Sequence, residues 1–307
     1  MSAWILLTIA GAFLQNLRSL LQRRLTGNLS VNGAAYVRFL FALPFAWFFF
    51  GVIADLSGTS SELVPNQRFF LFVSVGAIAQ MVATSALVAA VSGSHFALGT
   101  ALSKTEAVQA ALLGLILLGE GVSPQALGGI GISLAGVFLL SGNIRPKDLV
   151  RADRRVWFGV LAATFLALCA ICYRGASLAL LAPMMTSPEL VEASFNQALL
   201  VASFTLAVAV TLQALLMGCY LALSEPGQLS QVLLHWRPAL LVGCIAMVAS
   251  ACWFTAMALY NAAMVRALGQ IELLFTLITS IWLLNERVSR REVLGMVLLV
   301  LGILMLF

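Results

Sequence analysis

The first residues here that could do chemistry are ionisable side chains set inside apolar runs. Lys104 and Glu106 lie near the middle of one such run, and Arg266, Gln270 and Glu272 near the middle of another. A charged group at the centre of a bilayer costs roughly 2.5–3.5 kcal/mol on insertion scales, so its presence marks function by default. A lysine can hold a carboxylate as a point charge and an arginine as a planar fork. A buried carboxyl group can carry a proton near neutral pH. Residues four apart share a helical face. Thr100 therefore faces with Lys104, and Arg266 with Gln270. On a continuous helix Glu106 is turned about 200° from Lys104 and shares a face with Ser103 and Gln109. Two readings stand for Glu106 and Glu272: a proton or ion site, or a symmetric packing device bonded to backbone or to a basic side chain.

Weaker candidates surround these. Gln80 and Trp253 could line a cavity, the indole offering a ring face to a ligand or simply packing. Arg174 could line it too, or snorkel to an interface, and snorkelling is the better reading for Arg18 and Arg38. His95 reads as a turn residue. The five cysteines, including the Cys169 and Cys172 pair, lie in apolar runs and read as small filler. There is no phosphate-binding glycine loop, no metal-ligand spacing and no Ser/His/Asp set. The expectation is therefore no cofactor, no metal and no enzyme.

The elements that must position these residues follow from composition. The chain has 307 residues, 62% hydrophobic and 9% charged, with a net charge of +5. That much apolar surface needs the bilayer as solvent. The basic residues lie mostly in loops, which points to membrane topology and away from nucleic acid. Apolar runs of about 20 residues cross the hydrocarbon core as helices. Ten are expected, over residues 4–21, 34–53, 69–91, 96–118, 125–140, 156–178, 194–220, 238–259, 263–284 and 293–307. The first reads as a retained span, not a signal peptide.

The chain is an all-α membrane protein that repeats itself. An offset of 166 residues aligns Lys104 with Gln270, Glu106 with Glu272, Glu120 with Glu286, Val122-Ser123 with Val288-Ser289, Gly129 with Gly295 and Gly136 with Gly302. Two glutamates and two glycines in one register indicate internal duplication. The halves are residues 1–142 and 156–307, joined by a basic linker over 143–155. Five spans per half invert the second repeat relative to the first. Each last span carries glycines seven apart, which permits close packing. Arg23, Arg24, the central linker, Arg287, Arg290 and Arg291 fall on one side, which the positive-inside rule makes cytoplasmic, with both termini outside.

The Leu-Leu-Gly-Glu-x-Val-Ser and Leu-Leu-Asn-Glu-x-Val-Ser endings, each followed by a glycine-spaced final helix, resemble the two EamA repeats of the drug/metabolite transporter superfamily. The resemblance covers nearly the whole chain. It implies ten helices in two inverted repeats, a central cavity, and alternating-access transport of small metabolites, often export. It also implies cytoplasmic termini, opposite to the charge bias. The expected function is a secondary transporter of the inner (plasma) membrane moving a small polar metabolite, such as an amino acid or other carboxylate. Two alternatives stand beside it: proton-coupled efflux of cationic or drug-like compounds, and a membrane scaffold or sensor. The expected partners are a small-molecule substrate, the lipid bilayer and protons, with the chain as monomer or homodimer.

Overall fold

A computed structural model describes residues 2–25, 29–58, 63–91, 96–141, 157–184, 194–284 and 289–307. The basic linker 143–155, His95, Glu286 and Arg287 lie outside the described residues, as do the side chains of Thr100, Arg23 and Arg24. The described residues form fourteen α-helices and one short 3-10 turn, with no strand. In chain order the helices are α1 (Ala3–Leu25), α2 (Val31–Leu40), α3 (Leu43–Ser57), α4 (Gln67–Val91), α5 (Phe96–Ser103), α6 (Glu106–Leu118) and α7 (Pro124–Leu140). They continue as α8 (Trp157–Leu181), α9 (Phe195–Ser224), α10 (Gln228–Leu234), α11 (Trp236–Leu259), α12 (Ala262–Gly269), α13 (Glu272–Leu284) and α14 (Arg290–Leu304).

Seven stretches of the described residues are long and apolar enough to cross a membrane, and Pro124–Leu140 is a shorter apolar helix. Three of the ten expected rods are interrupted. The second breaks at Phe41-Ala42, ahead of Pro44 in the first turn of α3, where a missing N–H costs nothing. The fourth and ninth break at Lys104-Thr105 and Gln270-Ile271. The helix starts keep the sequence register: α5, α6 and α7 begin 166 residues before α12, α13 and α14. The repeated Val-Ser earns its place at the last of these starts. Ser123 caps α7 by accepting from the Ala126 N–H, and Ser289 caps α14 by accepting from the Glu292 N–H. Gly119 ends α6 in the left-handed conformation, at φ 70°, which a glycine adopts without strain.

The chain forms two compact units that do not follow its sequence halves. One comprises Met1–Met81 and Cys172–Tyr260, the other Val82–Ile171 and Asn261–Phe307. Each therefore draws on both repeats.

In the first unit α1 lies along α11. A Cβ on Gly11 would stand 3.2 Å from Trp253 Nε1, and Trp4 stacks on Tyr260 with ring centroids 4.4 Å apart. Helix α2 packs on α9 and α11 around buried Tyr36, Val37, Leu221, Val232 and Val242. Its N-cap Ser30 bonds Glu225 at 2.5 Å, and Asn32 bonds the other carboxylate oxygen at 2.6 Å.

In the second unit α7 and α14 meet at their glycines. A Cβ on Gly136 would lie 2.6 Å from the Gly295 carbonyl and 2.7 Å from the Leu299 nitrogen. The backbones touch because no side chain intervenes. Contact this close drives helix association where the lipid offers no hydrophobic bias. Large apolar side chains such as Phe48, Phe70, Leu112 and Ile116 are exposed, the surface expected of helices solvated by acyl chains.

Candidate functional site

The site is built from two broken helices of the second unit. After α5 the Lys104 and Thr105 nitrogens bond to Ala101 and Leu102, three residues back. After α12 the Gln270 and Ile271 nitrogens bond to Ala267 and Leu268 in the same way. The first break is thus a single 3-10 turn, while at the second the three-back pattern runs on, with the Leu273 and Leu274 nitrogens bonding to Gln270 and Ile271. The polar groups of each break are satisfied inside the protein, as a membrane interior demands. The Thr105 hydroxyl donates to the Leu102 carbonyl at 2.7 Å, and the Gln109 amide donates to Thr105 at 3.0 Å. One break also caps the other. The Gln270 amide donates to the Lys104 carbonyl at 3.3 Å while its oxygen accepts from Ser133 at 2.6 Å. Gln270 is 1% exposed.

The charges are paired across the repeats. Lys104 donates to the Glu272 carboxylate, and Arg266 donates to Glu106 at 2.5 Å. The four side chains are between 6% and 16% exposed. Both glutamates sit in the first turn of a half-helix, where the helix dipole favours a negative charge, and Arg266 sits in the last turn of α12, where it favours a positive one. Breaking the rods thus creates the helix ends that hold these charges. The two pairs together carry no net charge.

Two outcomes differ from the sequence reading. The fourth and ninth helices are not continuous. Glu106 is not turned away from Lys104: both reach the α12–α13 rod, because a 3-10 turn advances faster than an α-helix and changes the phase between them. Lys104 and Arg266 each hold a glutamate, the bonding to a basic side chain that was one of the two readings of Glu106 and Glu272.

The remaining candidates lie in the other unit. Arg174 donates to the carbonyls of Met257 at 2.9 Å and Ala258 at 2.7 Å, so it binds the C-terminal end of α11. Trp253 is buried against Gly11. Gln80 accepts from the Tyr173 hydroxyl at 2.9 Å and from the Gln213 amide at 2.6 Å, and the same Gln213 nitrogen lies 3.1 Å from Tyr173 Oη. Gln213 was not singled out from sequence, because one glutamine in a long apolar helix has no repeat partner to mark it. Arg38, half-buried, lines a small cavity of this unit together with Gln80, Gln213 and Ser250. The cysteines are free thiols, and among the described residues no group of three or more His, Cys, Asp or Glu could hold a metal ion.

The model of the EamA-like transporter family matches residues 2–142 and again 173–307. The chain belongs to the EamA-like transporter family. It is a multi-pass membrane protein with two EamA repeats, placed with transporters and not with enzymes. Twenty solved chains match it. One of them, described only as the crystal structure of a protein, is 16% identical with a TM-score of 0.63, over 99% of this chain and 96% of that one. That likeness shows the fold alone. None of the curated proteins compared matches the chain. Within the EamA repeats, the glycine pairs, the capping serines and the two breaks fall at the same register in each copy.

Proposed function

We propose that this EamA-family protein is a secondary transporter of the inner (plasma) membrane that exports a small polar metabolite bearing a carboxylate. The chain would cross the bilayer ten times in two inverted five-helix repeats. One observation carries the reading: the repeat-equivalent breaks at Lys104-Thr105 and Gln270-Ile271, each beside a buried cross-repeat ion pair. Discontinuous helices that present their ends to a midplane site are a general transporter device. The substrate carboxylate would compete with Glu272 for Lys104, or with Glu106 for Arg266, with Thr100 and Gln270 on the same faces. A buried glutamate that loses its cation is costly as an anion and takes up a proton instead. Substrate and proton then move together as a neutral set, and alternating access needs no net buried charge.

The test is counterflow in vesicles reconstituted with the full chain, using labelled amino acids, organic acids and amines, with a pH-sensitive dye inside. Saturable exchange of a carboxylate with accompanying proton movement is expected. Glu272→Gln should keep substrate binding and lose the proton signal. Unchanged transport in both Glu106→Gln and Glu272→Gln would remove the coupling role. No exchange of any compound, together with cysteines at Ala101 and Lys104 that water-soluble thiol reagents label from neither side, would favour a scaffold. Exchange of amines alone would favour cation efflux at the glutamates.

A further inference from the structure

The corner between α9 and α11 holds none of the site residues. Helix α9 ends at Ser224, Gly227 turns the chain at φ 90°, the seven-residue α10 follows, and α11 starts at Trp236. One side of the corner is anchored in the first unit. Val232 of α10 is fully buried in the cluster with Leu29, Tyr36 and Leu221, and Leu229 packs against it. The Gln228 side-chain oxygen accepts from the Ser30 N–H at 3.1 Å. Both oxygens of Glu225, the one carboxylate of this stretch, accept from Ser30 and Asn32. The other side of the corner is exposed, through Leu223, Leu233, Leu234 and Trp236. Arg237 beside them is exposed too and, among the described residues, makes no hydrogen bond or ion pair. Its guanidinium lies 5.5 Å from the centroid of the Trp236 ring, and a contact over the ring face leaves the in-plane N–H donors open. His235 Nδ1 lies 2.9 Å from the Gln231 carbonyl, which ties the imidazole back onto α10. The bonds of Glu225 place the corner at the same end of the unit as the junction of α1 and α2, where the sequence carries Arg23 and Arg24. The positive-inside rule turns that end to the cytoplasmic leaflet, whose surface is anionic.

We infer that α10 and the start of α11 form a contact for an anionic phospholipid, in which Leu233, Leu234 and Trp236 enter the boundary between headgroups and acyl chains and Arg237 holds the lipid phosphate. A tryptophan is favoured at that depth because its ring has an apolar body and a polar N–H. A short helix that exposes leucines beside Ser230 and Gln231 suits the plane of the interface, where apolar and polar groups each find their solvent. A guanidinium meets a phosphate in a two-pronged fork, and such charge-assisted bonds are about twice as strong as neutral ones. Charge decides the class of lipid. Glu225 is engaged inward, so the corner presents Arg237 without a carboxylate to offset it. An anionic headgroup complements that charge, whereas a zwitterionic one brings a cation of its own to the same arginine. The inference does not rest on the transport reading, since Lys104, Arg266 and their glutamates belong to the other unit.

The test places the full chain in mixed vesicles of phosphatidylcholine and phosphatidylglycerol and reads the emission of Trp236, taken as the difference between wild type and Trp236→Phe. One lipid at a time carries bromine on its acyl chains near the headgroup, which quenches an indole on contact. A lipid gathered at the corner quenches ahead of its share of the bilayer. Brominated phosphatidylglycerol is expected to reach half-quenching at a several-fold lower fraction than brominated phosphatidylcholine. Added salt should shrink that lead, because it screens the attraction between exposed charges. Arg237→Gln should abolish the lead, while Arg237→Lys should keep part of it. If Arg237→Gln cannot be reconstituted, Leu234→Glu, which sets a carboxylate on the same exposed side, should reverse the preference. Equal quenching by the two lipids overturns the inference, and so does a lead that survives Arg237→Gln unchanged. Quenching by neither lipid would mean that protein, such as a second copy of the chain, covers the corner, and overturns it as well. A lead erased by inorganic phosphate at constant ionic strength would assign the arginine to a soluble phosphate and refute the lipid contact. Selective quenching in a chain that exchanges no solute would uphold this contact and sink the transport reading. Counterflow without selective quenching would do the reverse.

Discussion

Glu106→Gln is the sharpest probe of the site. The substitution keeps the shape and removes one charge. The Arg266 guanidinium, with a side chain 14% exposed, then faces a neutral amide where it had a carboxylate at 2.5 Å. Two unit charges about 4 Å apart attract by about 4 kcal/mol at an effective dielectric near 20. Breaking a buried pair from one side costs about 3–5 kcal/mol, because the remaining charge stays desolvated. The expected loss is therefore about 3–5 kcal/mol in the unfolding free energy, read by circular dichroism as purified protein is titrated with denaturing detergent. Removing both charges, with Glu106→Gln and Arg266→Met together, also removes the desolvation of both. That double variant should recover most of the loss, giving a coupling energy of at least about 2 kcal/mol in a double-mutant cycle. Glu272→Gln should cost less, since the Lys104 and Glu272 side chains are 15% and 16% exposed. A loss under about 1 kcal/mol for Glu106→Gln, or single losses that simply add in the double variant, would refute the buried-pair argument.

Three further outcomes follow from the packing. Gly136→Leu should drive α7 from α14, costing at least the roughly 1–3 kcal/mol of an overpacked core, whereas Gly131→Ala, whose added Cβ meets nothing within 4 Å, should be neutral or stabilising by up to about 1 kcal/mol; yield and Tm of the two variants check this. Gln270→Leu should cost about 1–3 kcal/mol, because it strips the Lys104 carbonyl and the Ser133 hydroxyl of a shared partner, and Ser133→Ala on that background should add little. Ser289→Ala should cost about 1 kcal/mol by opening the capping box of α14. Hydrogen bonds from Ser289, backbone first and then side chain, hold the Glu292 carboxyl below its ordinary value, just outside the apolar run 293–307. Its contribution is therefore present above the unfolded carboxylate range and fades as pH falls through the lower folded value, so the Ser289→Ala deficit measured by Tm should shrink on acidification.

Sequence alone determined the solvent, the helical class, the duplication and the family. Apolar runs of bilayer length admit only helices, and a register in which glutamates, glycines and Val-Ser recur is legible without coordinates. It also picked out Lys104, Glu106, Arg266, Gln270 and Glu272, because an ionisable or amide group is conspicuous in a lipid-soluble helix. Their partners were decided only by tertiary structure. Periodicity assumes an unbroken helix, and a single 3-10 turn at Lys104-Thr105 changes the phase of everything beyond it. Which cation meets which carboxylate depends on two segments about 166 residues apart crossing at their breaks. No local pattern encodes that distance. The same holds for Arg174, whose partners are the carbonyls of Met257 and Ala258, and for Gln213, which becomes visible only beside Gln80 and Tyr173. Burial in a membrane protein shows up in sequence as apolarity, but polar groups inside it are placed by the three-dimensional need to satisfy every donor and acceptor away from water.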